Sequence, residues 1–268
     1  RFLLANLHDF NPQTHLLEHH KLLPLDQWAI ARAHQLQAQI KTAYSDYQFH
    51  HASQSIHDFC AFDMGSFYLD IIKDRQYTGA TDSIMRRSAQ TAIYHIVNAL
   101  ARWLAPITSF TANEIYQHIP GNDSQDYVFT EYWYDNLAPL SSESVLSLED
   151  WQVLLDVRSQ VNKALEHARK EKRIGSSLAA CVTIYATGKN LACLQTLDKE
   201  CHFLFICSKA QIVQLEEKPA QAQASEDPEL FISVEPSTEE KCQRCWHHCA
   251  SVGSDARYPG ICTRCISN

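Results

Sequence analysis

Apolar residues in the first two-thirds of the chain recur every three to four positions, the spacing that lines one face of a helix. In 24–47, "PLDQWAIARAHQLQAQIKTAYSDY", Trp28, Ala31, Ile40, Ala43 and Tyr47 make such a stripe, with Asp26 placed to cap its start. A second helix is expected over 51–75, with Ile56, Phe59, Phe67 and Ile71 on one face. A third runs from 81 to 106, capped by Thr81 or Asp82 and stopped at Pro106. Thr111 and Glu114 stand at capping-box spacing in a shorter helix that Pro120-Gly121 ends. After an aromatic loop, "DYVFTEYWYDNL", the pattern is clearest over 147–175. There Ser147 and Asp150 suit a helix start, Trp151, Leu154, Leu155, Val161, Leu165 and Ala168 form the stripe, and Gly175 closes it. Long helices with short connections predict an antiparallel helical bundle over 1–175.

The period then changes. "ACVTIYA" alternates as a half-buried strand does, "AQIVQL" and "LFISVE" are further strands, and "NLACLQTLDKECHFLF" between them reads as helical. Residues 176–238 are therefore expected to form a small α/β junction, of a size (about 60 residues) at which a core is marginal. Its Pro/Ala/Gln-rich stretch 217–229 reads as a surface loop or linker. The fold class predicted is mainly α: a bundle, the junction, and a cysteine-rich module over 239–268.

Composition changes this picture little. Hydrophobic content of 45% can fill a core, and no apolar run approaches a membrane span. The start, "RFLLANLHDF", has neither a signal-peptide layout nor an initiator Met, so it reads as the middle of a longer chain. Charge is more informative. The net −8 argues against a general nucleic-acid binder, yet 216–240 hold eight acids and one lysine. The last 28 residues hold Lys241, Arg244, Arg257 and Arg264 against Asp255 alone. An acidic spacer precedes a basic module, which permits an anionic partner there. Two further basic groups, 158–173 and the set Lys73, Arg75, Arg86 and Arg87, fit either solvated helix surface or an RNA-tracking face. Eight histidines before residue 60 show no metal-ligand spacing.

The end of the chain reads "KCQRCWHHCASVGSDARYPGICTRC", two Cys-x-x-Cys pairs with 16 residues between them. Each pair presents two sulfurs to one point, and the interval suits a single tetrahedral zinc. Cys242, Cys245, Cys262 and Cys265 are the candidate ligands; His247, His248 and Cys249 are substitutes placed too close to Cys245 to replace the second pair. Four thiolates leave no open position, so the zinc is structural. Its binding, about 10–16 kcal/mol in small zinc peptides, would supply most of the fold of so small a unit. The other six cysteines have no regular spacing and read as buried or incidental thiols. Arg244 and Arg264 sit between their ligand pairs, where they either offset the −2 of a zinc tetrathiolate or contact phosphate. Trp246 either covers the cage or stacks on an unpaired base.

With these residues in view, "KCQRCWHH…ICTRC" resembles the C-terminal zinc finger of bacterial isoleucyl-tRNA synthetases, a finger type shared with formamidopyrimidine-type DNA glycosylases. "RFLLANL", "FYLDIIKDRQY", "LAPITSFTANEIYQHIP" and "VNKALEHARKEKRIGSSLAA" resemble the anticodon-binding helical domain of the synthetases, in the same order. That helical type is also similar to the valyl, leucyl and methionyl enzymes; the terminal finger favours the isoleucine family. The resemblance implies a cytoplasmic, monomeric, class I ligase whose partner is the tRNA for isoleucine. It implies that ATP and Mg2+ act only in catalytic and editing domains N-terminal to this chain. The HIGH-like and KMSKS-like signatures of those domains do not occur here, so the chain alone is expected to be inactive, with no catalytic residue of its own. On the matching positions, Arg244, Trp246 and Arg264 become the expected RNA contacts. The rivals are a purely structural zinc module and a DNA glycosylase, whose catalytic domain would have to stand where the helices stand.

Overall fold

A computed structural model describes residues 1–220 and 222–268, with every side chain there except that of Lys199. The chain is mainly helical, with one small mixed sheet and a cluster of four cysteines near its end. It divides into two compact units, Arg1–Ser144 and Val145–Asn268. None of the described helices is long and apolar enough to cross a membrane.

The first unit begins with two short helices, α1 (Phe2–Ala5) and α2 (Pro12–His15). Then come α3 (Pro24–Ser45), α4 (Phe49–Asp58), α5 (Leu69–Thr78), α6 (Ile84–Leu104) and α7 (Ser109–Gln117). The helix expected over 51–75 is interrupted: Phe59–Tyr68 between α4 and α5 is wound as a π-helix. The wider winding buries Phe59, Met64, Phe67 and Tyr68, a set that a 3.6-residue period would not place together. α3 and α6 pack on each other, with Trp28, Ile30, Leu36, Ile40, Ile93, Ile96 and Trp103 in the core. Trp28 meets Phe67 edge-on at 4.8 Å, an arrangement that the ring quadrupoles favour.

Several expected caps are elsewhere. Asp26 lies inside the first turn of α3 and is fully buried. Its carboxylate accepts from the Tyr68 hydroxyl (2.7 Å), the Ser88 hydroxyl (2.5 Å) and Arg75 Nη1 (3.3 Å). Ser88 Oγ in turn accepts the Leu23 N–H, one of the donors left over at the start of α3. One carboxylate thus ties α3, the π segment, α5 and α6 together. Burial, and next the adjacent Asp26 charge, push the Tyr68 phenol well above its ordinary pKa, so it stays a donor. The cap of α6 is Ser83, not Thr81 or Asp82. Thr108 precedes α7 without a side-chain cap bond, and no Thr111–Glu114 capping box forms. Tyr47, counted in the α3 stripe, lies past the helix end in a left-handed conformation (φ 56°) and is exposed.

The second unit opens with α8 (Leu148–Lys170), whose Ser147–Asp150 capping box forms as the spacing predicts. The helix ends before Gly175; the left-handed residue behind it is Lys172 (φ 59°), and the Arg173 N–H reaches back to the Ala168 carbonyl. β1 (Ala180–Ala186), α9 (Gly188–Leu197), α10 (Cys201–Leu204) and β2 (Lys209–Gln214) follow, with β1 and β2 parallel. β3 (Gln223–Ala224) and β4 (Leu230–Pro236) complete a sheet in the order β2-β1-β4-β3. Every second residue of β1, and of β4 as far as Val234, is buried, and α8 and α9 pack on the sheet. Helix α8, which the sequence joins to the preceding helices, thus shares its compact unit with the sheet. The run 217–229, expected as a loop or linker, contributes β3 and Glu226, which accepts from Gln160 and Lys163 of α8; Gln221 lies outside the described residues. α11 (Thr263–Ile266) closes the chain.

Removing Asp26 takes the carboxylate acceptor away from Tyr68, Ser88 and the buried Arg75 at once. Asp26→Ala is therefore expected to cost about 3–5 kcal/mol in urea unfolding of the first unit; a change below ~1 kcal/mol would show that the carboxylate is dispensable. In the second unit, hydrogen bonds from the Ser147 side chain and backbone bring Asp150 down to about 2. The folded value lies below the unfolded one, so this stabilisation is present above pH ~4 and is lost as pH falls towards 2. Ser147→Ala should cost about 1 kcal/mol at neutral pH, and NMR titration should find Asp150 higher than in the parent, with the Ser147 backbone N–H and Lys189 still holding it down.

Candidate metal centre and nucleic-acid interface

The first cysteine knuckle is a hairpin in which the Cys242 N–H meets the His247 carbonyl (2.9 Å) and the Trp246 N–H the Cys242 carbonyl (2.9 Å). Closing so tight a turn forces Trp246 into the left-handed region, φ 65°, where a bulky residue is strained. The second knuckle sits at the start of α11, with the Cys265 N–H bonded to the Cys262 carbonyl. All four cysteines are buried, and one sulfur from each lies within 4.8 Å of every other.

The geometry suits zinc. Zinc–sulfur bonds of about 2.3 Å in a tetrahedron put sulfurs about 3.8 Å apart, and Cys245 Sγ and Cys262 Sγ stand 3.8 Å apart. The Cys262 N–H also points at Cys242 Sγ (3.4 Å), as amides do toward thiolates. Burial opposes ionisation at every one of the four. At Cys242 backbone N–H groups outweigh it, and at Cys245 the Arg264 guanidinium and the His247 N–H do, so both thiols fall below their ordinary value. Cys262 is pushed up to about 11 and Cys265 is also raised, by burial and by the neighbouring sulfurs. Four sulfurs this close carry charge together only around a cation. With Cys242, Cys245, Cys262 and Cys265 as ligands, a zinc ion would be fully coordinated and would supply shape, not chemistry.

The module is fastened within the second unit. The His248 N–H donates to Ser208 Oγ (2.6 Å), and Ser208 donates to the Leu178 carbonyl. His247 lies 6.0 Å from the Phe203 ring, and His248 Nδ1 pairs with the Glu239 carbonyl. His247 and His248 are therefore engaged outside the sulfur cluster, while Cys249 packs against it.

The expected RNA contacts separate into two kinds. Trp246 is 59% exposed, so it does not cover the cage, and Lys241 Nζ lies 5.2 Å from its ring centre. Arg244 is exposed but donates through Nη1 to the Cys265 carbonyl (2.9 Å), bracing one knuckle on the other. Arg264 lies over the Phe203 ring at 5.3 Å and hydrogen-bonds Cys245. Elsewhere many of the basic groups have partners within the protein. Arg158 is buried on the Leu204 carbonyl and Arg173 reaches the Val234 carbonyl. Lys163 meets Glu226, Arg169 meets Glu166, and Lys73 meets Asp70. Arg86 and Arg87 both meet Asp9. Arg257 and Tyr258, which the sequence reading left aside, form a further exposed pair between the knuckles. An arginine two residues after an aspartate, next to an aromatic, was the only local sign of them.

Residues 26–184 match the family described as the anticodon-binding domain of tRNA ligase. Residues 239–268 match the zinc finger found in FPG and IleRS. Over its whole length the chain is 52% identical to an isoleucine–tRNA ligase of Legionella pneumophila (strain Paris). It is 48% identical over its whole length to those of Aeromonas hydrophila and Shewanella pealeana. The chain spans 28% of the length of each of these relatives.

Purified chain is expected to carry one zinc. Chelation or Cys262→Ser should remove it and abolish amide-exchange protection over 239–268, while protection in α3 and α6 persists. Retained protection in the metal-free chain would refute a metal-dependent module.

Proposed function

The chain belongs to the family of anticodon-binding domains of tRNA ligases, and from that premise we propose that it is the tRNA-gripping C-terminal part of an isoleucine–tRNA ligase. The observation that carries this reading is whole-length likeness to isoleucine–tRNA ligases together with the buried quartet of sulfurs. In this reading 1–175 act as an antiparallel bundle of the class I anticodon-binding type. Residues 176–238 form the junction and 239–268 the zinc finger. The partners are the tRNA for isoleucine and the catalytic and editing domains of the longer protein. ATP and Mg2+ belong to those domains, and the protein works as a cytoplasmic monomer.

The chemistry of this part is binding and positioning. Zinc would hold the two knuckles rigid, and rigidity lets Trp246 present its ring without paying for ordering when a base stacks on it. Arg244 keeps donors beyond the one given to Cys265, and these serve phosphate oxygens. Arg264, set between Phe203 and Cys245, contributes chiefly by holding the second knuckle in place. The internal contacts of the two arginines favour one second reading, a structural zinc module that leaves RNA to other surfaces.

Binding to tRNA with the isoleucine anticodon, compared with the same tRNA carrying an altered anticodon, tests the proposal. A salt-sensitive preference for the isoleucine anticodon is expected. Trp246→Gly separates the two readings, because glycine relieves the strain at φ 65° while deleting the ring. It should keep zinc and stability and weaken tRNA binding by about 1–3 kcal/mol. Unchanged affinity would leave the structural module as the better account; equal affinity for both tRNAs would mean a grip without reading.

A further inference from the structure

Of the four cations in 241–268, two are tied inward: Arg244 to the Cys265 carbonyl and Arg264 over Phe203. The other two, Lys241 and Arg257, each lie by an exposed aromatic ring. Lys241 Nζ is 5.2 Å from the ring centre of Trp246, and the Arg257 guanidinium carbon is 5.8 Å from that of Tyr258. Tyr258 is 52% exposed, close to the figure for Trp246.

The Arg257–Tyr258 corner is built, not loose. Asp255 receives Arg257 Nε (3.1 Å) and Nη2 (2.8 Å) side-on and also the Arg257 backbone N–H (2.9 Å). This orients the guanidinium and leaves Nη1 outside the pair. The Tyr258 N–H bonds the Asp255 carbonyl, and the Ile261 N–H bonds that of Tyr258. The Gln243 N–H then takes the Gly260 carbonyl (3.0 Å), which pins the turn onto the first knuckle. A Cβ at Gly260 would stand 2.6 Å from the amide end of the Gln243 side chain, so a larger residue there would displace that side chain. Trp246 and Tyr258 therefore project from segments fastened to the same metal-bound turn. Residues 241–268 hold four cations and one acid, Asp255, which is paired with Arg257, while Glu239 and Glu240 directly precede Lys241.

We propose that Arg257 and Tyr258 form a second nucleotide-contact point on this module, in addition to Lys241 and Trp246. Tyr258 stacks on an unpaired base of the bound tRNA, and Arg257 takes an adjacent phosphate through Nη1. The proposal rests on the reading that the chain binds tRNA. It commits to single-stranded RNA because the exposed groups pair π-faces with cations, the combination that tracks a backbone and stacks its bases.

The test is tRNA binding by the zinc-loaded chain over a range of salt, with zinc content measured for each variant. Tyr258→Ala should weaken binding about 5- to 150-fold and Tyr258→Phe should restore it. Arg257→Gln should lower the salt slope by about 1, and Arg257→Lys should recover it. Affinity within twofold of the parent for Tyr258→Ala and an unchanged slope for Arg257→Gln, with zinc retained, would overturn the inference. If Trp246→Gly weakens binding in the same series, that failure touches the second contact alone. A parent chain that does not bind tRNA overturns both, as does competition by an acidic peptide that abolishes the Arg257 effect.

Discussion

Four sulfurs drawn within 4.8 Å of one another are the constraint on which the C-terminal module depends. Brought together as thiolates they repel; brought together as thiols they offer only weak bonds. A divalent cation turns the same arrangement into the strongest local interaction. Around the quartet there is little else to hold a fold: Cys249, Val252 and Ile261 pack against it, and they are only partly buried. A unit of 30 residues with so small an apolar core depends on its metal, with its fastening to Ser208 and Phe203 as the other support. The two knuckles, the Gln243–Gly260 clasp and the Arg244–Cys265 brace are local geometries that the ion makes mutually consistent.

The first unit answers the same difficulty, a charge away from water, by a different route. Asp26 is buried among protein donors, and Tyr68, Arg75 and Ser88 from three other segments meet it. Such a cluster adds less net stability than its contact list suggests, because desolvation of Asp26 and Arg75 offsets much of the attraction. What it does enforce is arrangement. A register shift of α3 against α6, or a π segment rewound as ordinary helix, would leave a buried charge unmatched. The acids of 216–240 are a milder case: Glu226 meets Lys163 at the surface, where screening makes the pair worth little.

What was legible in the sequence follows from the range of the interactions involved. The cysteine ligands could be read because a knuckle is a local motif, and the Ser147–Asp150 cap because both partners lie within one turn. β1 announced itself by alternation, and β2 and β4 as short strand-like runs after it. Asp26 misled because a carboxylate near a helix start looks like a cap when its true partners are 42 to 62 residues away. The π winding of Phe59–Tyr68 leaves no periodic trace, since one extra residue per turn only blurs the stripe. β3, two residues long, has no pattern to show. The arginines were harder still. Composition reveals that a module is basic, but only packing reveals that Arg244 and Arg264 are turned to internal carbonyl, sulfur and ring.

Trp246 then bears on how binding surface and stability are related in so small a module. Holding a tryptophan at φ 65° costs on the order of 1–3 kcal/mol, and leaving the ring exposed forfeits the gain of burying it. A domain of this size resting on apolar contacts has little stability to spend on both. Zinc coordination, about 10–16 kcal/mol in comparable peptides, exceeds the strain several-fold. The metal therefore does more than replace a missing core. It allows large aromatic side chains to stand outward on strained turns, because the residues that hold the turns together are not the residues that face solvent.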